Sequence, residues 1–269
     1  MAKTKATAKP KGKSGRQRVK RLTATPKIKA AAKKSAARAA RGAPIRKVSG
    51  LAKAKPRKDD ERIVLYGLQA SVPTCKVGLM LRLSGVPFDY RHVDLRSGAH
   101  KQPDFLAKNR YGQVPVLEHR GRFICQSNVI LSYLAEQFGK FAGRTPAEKL
   151  RIAEWLAWDL DRMATGIGWT RAFARFMPQD PAVVSFIRQR GEQTLDFLDR
   201  HLGTSKFLAS SAPSVADIAV FPWIAIAGEG GFEMGRWPSI GAWAERMMAL
   251  PGAAHPYEIL PLEDRRPVR

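Results

Sequence analysis

Cysteine is scarce in this sequence, with only Cys75 and Cys125 among 269 residues. Two cysteines cannot build a disulfide framework, and they fit a reducing compartment. No run approaches the roughly 18 apolar residues that a membrane span needs. No apolar signal-peptide core follows the N-terminal charges. The five histidines (His92, His100, His119, His201, His255) show no close metal-ligand spacing, and the cysteines lie 50 positions apart, so no metal is expected. A phosphate-cradling loop and a dinucleotide fingerprint are both missing, and no internal repeat of structural period is visible. These absences lead to the expectation of a cytoplasmic protein with no membrane partner.

Acidic residues are missing from the first 58 positions, and aromatic residues from the first 65. Residues 1–60 hold 21 Lys and Arg against Asp59 and Asp60, a net of +19, which leaves +5 of the total +24 for residues 61–269. A segment so charged and so poor in large apolar residues cannot bury enough surface to offset its ordering entropy. A basic disordered tail is therefore expected over 1–60, with an Ala-rich stretch at 29–41 able to form helix against a polyanion. Such a tail binds nucleic acid or another polyanion by counterion release, without sequence preference. A solubilising tail, a start site assigned too far upstream and a transit peptide are the other readings; the Lys excess over Arg and the sparse Ser argue against the last.

Beyond residue 60 the hydrophobic pattern becomes that of a folded protein. Ile63-Val64-Leu65-Tyr66 is a short apolar run, as in a strand buried on both faces. After a turn region at 67–73, Val77, Met80, Leu81 and then Leu83 or Ser84 follow a helical period. Gly85 and Pro87 stop that helix. Residues 88–93 read as a second strand, parallel to the first across the helical crossover. A short helix is expected over 103–108. Val114-Pro115-Val116-Leu117 and Arg122-Phe123-Ile124-Cys125 are two further strands, with 118–121 as the hairpin turn. Gln126-Ser127 precedes a helix carrying Ile130, Leu131, Leu134 and Phe138 on one face. The element order is βαβαββα.

The second half reads as helical. Thr145-Pro146-Ala147-Glu148 is a capping box with proline at the first helical position. Leu150, Ala153, Leu156, Leu160, Met163 and Ile167 mark one face of a long amphipathic helix. Asp180-Pro181 starts another, with Val184, Ile187, Leu195, Leu198 and Leu202 as its buried face. Ser214-Val215-Ala216-Asp217 is a second capping box, and a last helix runs from Trp237-Pro238 towards Pro251.

The βαβαββα order with Val114-Pro115 entering the third strand resembles the thioredoxin-like domain of glutathione transferases. Gly112-Gln113-Val114-Pro115-Val116-Leu117, followed by Gln126-Ser127-Asn128-Val129-Ile130-Leu131, looks like that family's glutathione site. The Ser214–Asp217 box and the Trp237-Pro238 helix are similar to elements of its C-terminal domain. The resemblance runs from about residue 63 to about residue 252. It implies an α/β thioredoxin-like domain over 61–140, an all-helical domain over 141–269, an electrophile pocket at the cleft between them, and a homodimer.

The family also implies roles for individual residues. The proline matching Pro115 is cis, which turns Val114 so that its backbone can pair with an extended peptide such as the cysteinyl part of glutathione. Gln126 and Ser127, where the third helix begins, hold the γ-glutamyl end, as suits free N–H groups at a helix N-terminus. Gln113 belongs to the same motif. His100, with Lys101, reaches the glycyl end, although a mobile exposed pair is an equal reading.

Glutathione reacts as its thiolate, and a free thiol is mostly protonated at neutral pH. A hydroxyl at the positive end of the first helix can stabilise the anion. By alignment on Lys76-Val77, Ser71 falls where serine-type relatives carry that hydroxyl; omega-like relatives have cysteine there. Thr74 and Cys75 are the alternatives, the first as a cap and the second as a redox residue or a small buried hydrophobe. Tyr66 is set aside because it lies within the apolar strand run. Val72-Pro73, where serine-type relatives vary, leaves the chemical class open. Trp155, Trp158, Trp169 and Phe173 are candidates to line the electrophile pocket, none of them assigned.

The expected activity is transfer of glutathione to a small hydrophobic electrophile. The alternatives are a glutathione-dependent peroxidase or disulfide reductase, or a non-catalytic transferase fold tethered to nucleic acid by its tail.

Overall fold

The computed structural model describes residues 61–262. The expected tail, residues 1–60, lies outside them. β1 (Ile63–Gly67) is buried along its whole length because both faces of the sheet are covered. Ile63 and Leu65 join the main core, while Val64 and Tyr66 pack with Val93, Phe105 and Val116 on the opposite face. α1 (Val72–Leu83) crosses to β2 (Asp89–His92), which pairs parallel with β1. A 3₁₀ turn at Ala99–Lys101 and the short α2 (Pro103–Leu106) follow. β3 (Val116–His119) and β4 (Arg122–Cys125) complete a sheet in the order β2-β1-β3-β4, with β3 antiparallel to both its neighbours. α3 (Ser127–Phe138) closes this thioredoxin-like unit, with Ile130, Leu131 and Leu134 buried against the core.

Glycine ends α1 as expected. Gly85 has φ +66°, its N–H bonds to the Arg82 carbonyl at 2.9 Å, and Val86 N–H bonds to the Leu81 carbonyl at 2.9 Å. That is the paired bonding of a Schellman stop. The hairpin is tighter than the expected 118–121 turn. His119 still pairs with Arg122, so the turn is Arg120-Gly121 alone, both at positive φ. Burial of His119 extends the strand: its Nδ1 lies 2.8 Å from the Tyr133 hydroxyl and its ring stacks on Phe138.

Burial, and then the charge of neighbouring Arg120, push the His119 imidazole below its ordinary range, with Glu61 opposing. The unfolded chain then takes up a proton near pH 6.5 that the folded chain refuses, so stability is full above that pH and falls below it. Unfolding free energy should drop between pH 7.5 and 5.5, at up to about 1.4 kcal/mol per pH unit. His119→Gln should flatten the slope; urea melts across that range giving an unchanged slope would reject the assignment.

From Pro146 onward the chain is helical. α4 (Pro146–Trp158) begins with the reciprocal Thr145–Glu148 capping box. The winding then widens to a π-helical stretch, Asp159–Gly168, before α5 (Trp169–Arg175). Leu156, Met163 and Ile167 are buried as expected, but Leu150 and Leu160 are 63% and 50% exposed, Ala153 is exposed, and Ile152 is buried. Asp159, not Leu160, takes the buried place after Leu156, paired with Lys76, and Leu160 as the next residue is turned about 100° away from it. Leu150 stands two residues from Ile152, hence on the opposite side of α4.

α6 (Pro181–Leu202) starts at Asp180, whose carboxylate accepts from Ala182 N–H at 2.8 Å. Leu195, Leu198 and Leu202 are buried on it; Val184 and Ile187 are half-buried. Gly191 lets it cross the π-helical stretch closely, since a Cβ on the facing Gly166 would sit 3.0 Å from the Gly191 Cα. α7 (Val215–Ala225) is the buried central helix, opened by the Ser214–Asp217 capping box. α8 (Pro238–Met248) and the short α9 (Pro256–Ile259) end the described chain.

Candidate functional site

The N-terminus of α1 presents the first candidates. Ser71 occupies the N-cap position; its carbonyl accepts from Thr74 N–H at 2.9 Å and from Cys75 N–H at 3.0 Å, while its hydroxyl makes no capping bond. The hydroxyl is therefore not committed to the helix, and Ser71 is half-buried. Thr74 is fully buried and its Oγ1 has no hydrogen-bond partner. It packs on Gly67 so closely that a Cβ there would lie 2.1 Å from the Thr74 Cγ2. Cys75 is also buried, with Sγ 3.0 Å from the Gln69 carbonyl and 3.5 Å from that of Pro256. Burial pushes its thiol up to about 12, opposed by the charge of Arg171. Such a thiol stays protonated and is a poor nucleophile at neutral pH. Tyr66 engages Glu118 at 2.7 Å on the other side of the sheet, and burial pushes its phenol up.

The loop before β3 brings several candidates together. The Val114-Pro115 bond is cis. The Asn109 side chain donates to the Gln113 carbonyl at 2.6 Å and accepts from Tyr111 N–H at 3.0 Å, pinning the loop from below. Lys101 Nζ donates to the Gly112 carbonyl at 3.0 Å, which sets the His100-Lys101 pair against the same loop. Gly112, at φ +56°, allows this approach: a Cβ there would meet the His100 carbonyl at 3.0 Å and Lys101 Nζ at 2.9 Å. The His100 Nδ1 is buried without a partner. Across the loop, the Gln113 Oε1 and Gln126 Nε2 are 3.5 Å apart.

Gln126 has φ +69°, a left-handed conformation that strains a non-glycine residue and collects at functional sites. It delivers the chain into α3 with Ser127 buried at the first helical position. Ile130 N–H is bonded to the Gln126 carbonyl, so the three preceding N–H groups have no partner within the helix. That end suits a carboxylate.

One buried constellation escaped the sequence reading. Lys76 and Asp159, both essentially without exposure, form an ion pair at 2.5 Å. The Asn128 Nδ2 donates to the same carboxylate at 2.9 Å and to the Leu156 carbonyl at 2.8 Å. Burial favours the neutral Lys76 amine, and Asp159 opposes it. The trio ties α1 to the start of α3 and to the π-helical stretch. Its only sequence signal is a lysine inside an apolar helix face.

Trp155 meets Trp158 edge-on and Phe197 and His201 at a tilt, between α4 and α6. Trp169 is 44% exposed and packs on Phe173 with ring centroids 5.6 Å apart. Among the described residues, no cluster of three or more His, Cys, Asp or Glu side chains is placed to hold a metal, and no helix is long and apolar enough to cross a membrane.

Residues 61–136 match the family model of the glutathione S-transferase N-terminal domain, and residues 168–246 that of the glutathione S-transferase C-terminal domain. Glutathione S-transferase 3 of Zea mays is 30% identical over 213 residues, which is 74% of this chain and 94% of that protein. The disulfide-bond oxidoreductase YfcG of Escherichia coli (strain K12) is 26% identical over 198 residues, 70% of this chain and 92% of that protein. The crystal structure of a glutathione S-transferase from Pseudomonas fluorescens [Pf-5] superposes with a TM-score of 0.69 at 30% identity, covering 72% of this chain and 98% of that one. On these matches, and with both halves of the fold present in order, the chain belongs to the glutathione S-transferase family.

Proposed function

We propose that this chain is a glutathione transferase of the serine type, in which the Ser71 hydroxyl stabilises the glutathione thiolate for attack on a small hydrophobic electrophile. The observation that carries the reading is the uncommitted hydroxyl at the start of α1, next to a Thr74 and a Cys75 that are both fully buried. The γ-glutamyl carboxylate lies on the free N–H groups of α3 beside Gln126 and Ser127. The Val114 backbone ahead of Pro115 pairs with the cysteinyl unit. Gln113 flanks it, and His100 meets the glycyl carboxylate. The thiol proton leaves to solvent, the Ser71 O–H donates to sulfur, and the sulfur forms its new bond as the electrophile's leaving group departs. Residues 61–140 supply the glutathione site and residues 141–269 the other wall of an interdomain electrophile pocket. The working form is a cytoplasmic homodimer without metal.

Ser71→Ala tests the reading. Losing one hydrogen bond to the anion should raise the bound thiol's pKa by about one to two units and lower turnover near neutral pH by ~10- to 100-fold. Glutathione affinity should change by less than about threefold, because the tripeptide's other contacts remain. The rising limb of the pH–rate profile should move to higher pH. Turnover equal to wild type would transfer the role to Thr74 or Cys75.

A disulfide-reductase reading has one observation in its favour, the likeness to the oxidoreductase YfcG. Cys75 argues against a cysteine-based version, since its thiol is buried and held protonated. Turnover of a small disulfide in the presence of glutathione, compared with that of an aryl halide, separates the two.

The tail supports a separate proposal, attachment to nucleic acid through residues 1–60. With 21 Lys and Arg in that segment, duplex DNA affinity should fall at least ~100-fold between 50 and 200 mM salt. It should vanish in a chain starting at Asp60. Tight binding by the shortened chain would place the contact elsewhere.

A further inference from the structure

The turn that carries Ser71 is not held by its own neighbours alone. Arg171, on α5 and 101 positions away, is almost fully buried and points its guanidinium at this turn. Its Nη1 lies 3.4 Å from the Ala70 carbonyl, its Nη2 2.8 Å from the Tyr257 hydroxyl, and its Nε 2.9 Å from the Glu229 Oε2. The Tyr257 hydroxyl in turn donates to the Glu229 Oε1 at 2.6 Å, which closes a ring of three side chains from three distant segments. Burial opposes ionisation of Glu229, but the bonds from Tyr257 and Arg171 and the charges of Arg171 and Arg175 outweigh it and hold the carboxyl below its usual range. Glu229 is therefore an anion at neutral pH, and it fixes the fork.

The segment that bears Tyr257 is strapped to the same turn. The Gln69 Nε2 donates to the Tyr257 carbonyl at 2.6 Å and to the Leu260 carbonyl at 3.3 Å. Cys75 Sγ–H spans the Gln69 and Pro256 carbonyls. Gly78 of α1 leaves room for Ile259, whose Cγ2 would lie 2.7 Å from a Cβ at that position. Gln69, Ala70 and Cys75, which bracket Ser71 in the sequence, thus all bond to Arg171 or to residues 256–260.

We propose that Arg171 is a positioning residue for Ser71, its guanidinium locked by Glu229 and Tyr257 so that the Ala70 carbonyl, and with it the Ser71 hydroxyl, is held where the glutathione sulfur binds. The proposal rests on the Ser71 reading above. An arginine suits this task because its planar fork serves three acceptors at once, which a lysine ammonium cannot match in geometry. The strap makes a C-terminal segment, remote in sequence, part of the thiol-activating turn.

The test uses the full chain with Arg171→Lys and Tyr257→Phe, each alone and combined with Ser71→Ala. The readouts are the ultraviolet absorbance titration of the bound glutathione thiolate, kcat, and glutathione Kd by calorimetry. Arg171→Lys should move the thiolate titration to higher pH and lower kcat ~5- to 10-fold at pH 6.5, with Kd changed less than about threefold. Tyr257→Phe should act in the same direction with a smaller effect, and it removes a single hydroxyl if the lysine variant fails to fold. Because Arg171 acts through Ser71, neither variant should shift the titration further in the Ser71→Ala background. Losses that multiply with that of Ser71→Ala would overturn the proposal, as would unshifted titrations in both folded single variants. If Arg171→Lys behaves as wild type while Tyr257→Phe shifts, charge and not the fork is what matters, and the proposal fails. If Ser71→Ala alone leaves the titration unmoved, the Ser71 reading fails first and this one with it.

Discussion

Asp159→Ala is expected to lower the unfolding free energy by about 3–5 kcal/mol, because it strands the Lys76 ammonium in the core. Lys76 is 1% exposed, sits 5.1 Å from the centre of the Trp223 ring, and has the Asp159 carboxylate as its ionic partner. Asn128 would lose an acceptor as well. The cost should have a recognisable pH signature. Without Asp159, burial favours the neutral amine, so the unfolded chain binds a proton that the folded chain does not. The variant's stability should therefore rise between pH 7 and pH 9, and more steeply than the parent's, in which the Asp159 carboxylate offsets part of the effect of burial. Lys76→Met combined with Asp159→Leu removes both charges and should recover most of the loss, since a buried pair contributes little net stability over well-packed apolar groups. Urea denaturation at pH 7 and pH 9 checks all three. A loss under about 1 kcal/mol for Asp159→Ala would mean that Lys76 finds water on relaxation, and that the pair is not the link between α1 and the π-helical stretch.

The second large effect is expected at Asp217. Its Oδ1 accepts from Leu208 N–H at 2.9 Å and from Trp243 Nε1 at 3.0 Å. Its Oδ2 accepts from Ser214 N–H and from the Ser214 hydroxyl, each at 2.9 Å. Burial pushes the carboxyl up while these four donors oppose it. Asp217→Ala would leave the Leu208 and Trp243 N–H groups without an acceptor inside the core, at about 1–3 kcal/mol each, besides the lost cap. A total near 4 kcal/mol is expected, read as a lower urea midpoint at unchanged slope. Asp217→Asn keeps the shape and should cost less, because its one remaining oxygen still serves part of the set. Equal losses for the two variants would show that charge, and not the count of acceptors, sets the contribution. The sequence identified Asp217 as a capping residue; its bonds to α8 and to the chain before α7 make it a tertiary junction too.

The fold was largely legible because its signals are local. Apolar runs of four residues mark strands, and the crossover between the first two makes them parallel. Gly85 stops α1, and Thr145-Glu148 and Ser214-Asp217 open α4 and α7, each through bonds that span three to five residues. Where local reading failed, a longer-range cause was at work. Leu160 is exposed because Asp159 takes the buried place after Leu156, where it meets Lys76 of α1. The hairpin turn shrank to Arg120-Gly121 because His119 is buried against Tyr133 and Phe138 of α3.

The same division holds at the candidate site. Ser71, Gln113, Val114-Pro115 and Gln126-Ser127 were legible as short motifs at recognisable spacing, since a helix start or a loop before a strand is a local object. The positive φ of Gln126 was not legible, because glutamine carries no mark of that conformation. Nor was the difference in burial between Ser71 and the neighbouring Thr74 and Cys75. Burial removes Thr74 and Cys75 from solvent, and burial is decided by what packs over them. Lys76 meets Asp159 across 83 positions, and Arg171 meets Glu229, Tyr257 and Ala70 across 58 to 101. The sequence by itself determined the elements, their order and the motifs at their ends, because hydrogen bonds within a turn or a helix join near neighbours. Only the tertiary structure decided which charges are buried, which partners neutralise them and what holds the Ser71 turn, because those contacts join segments that no periodicity relates.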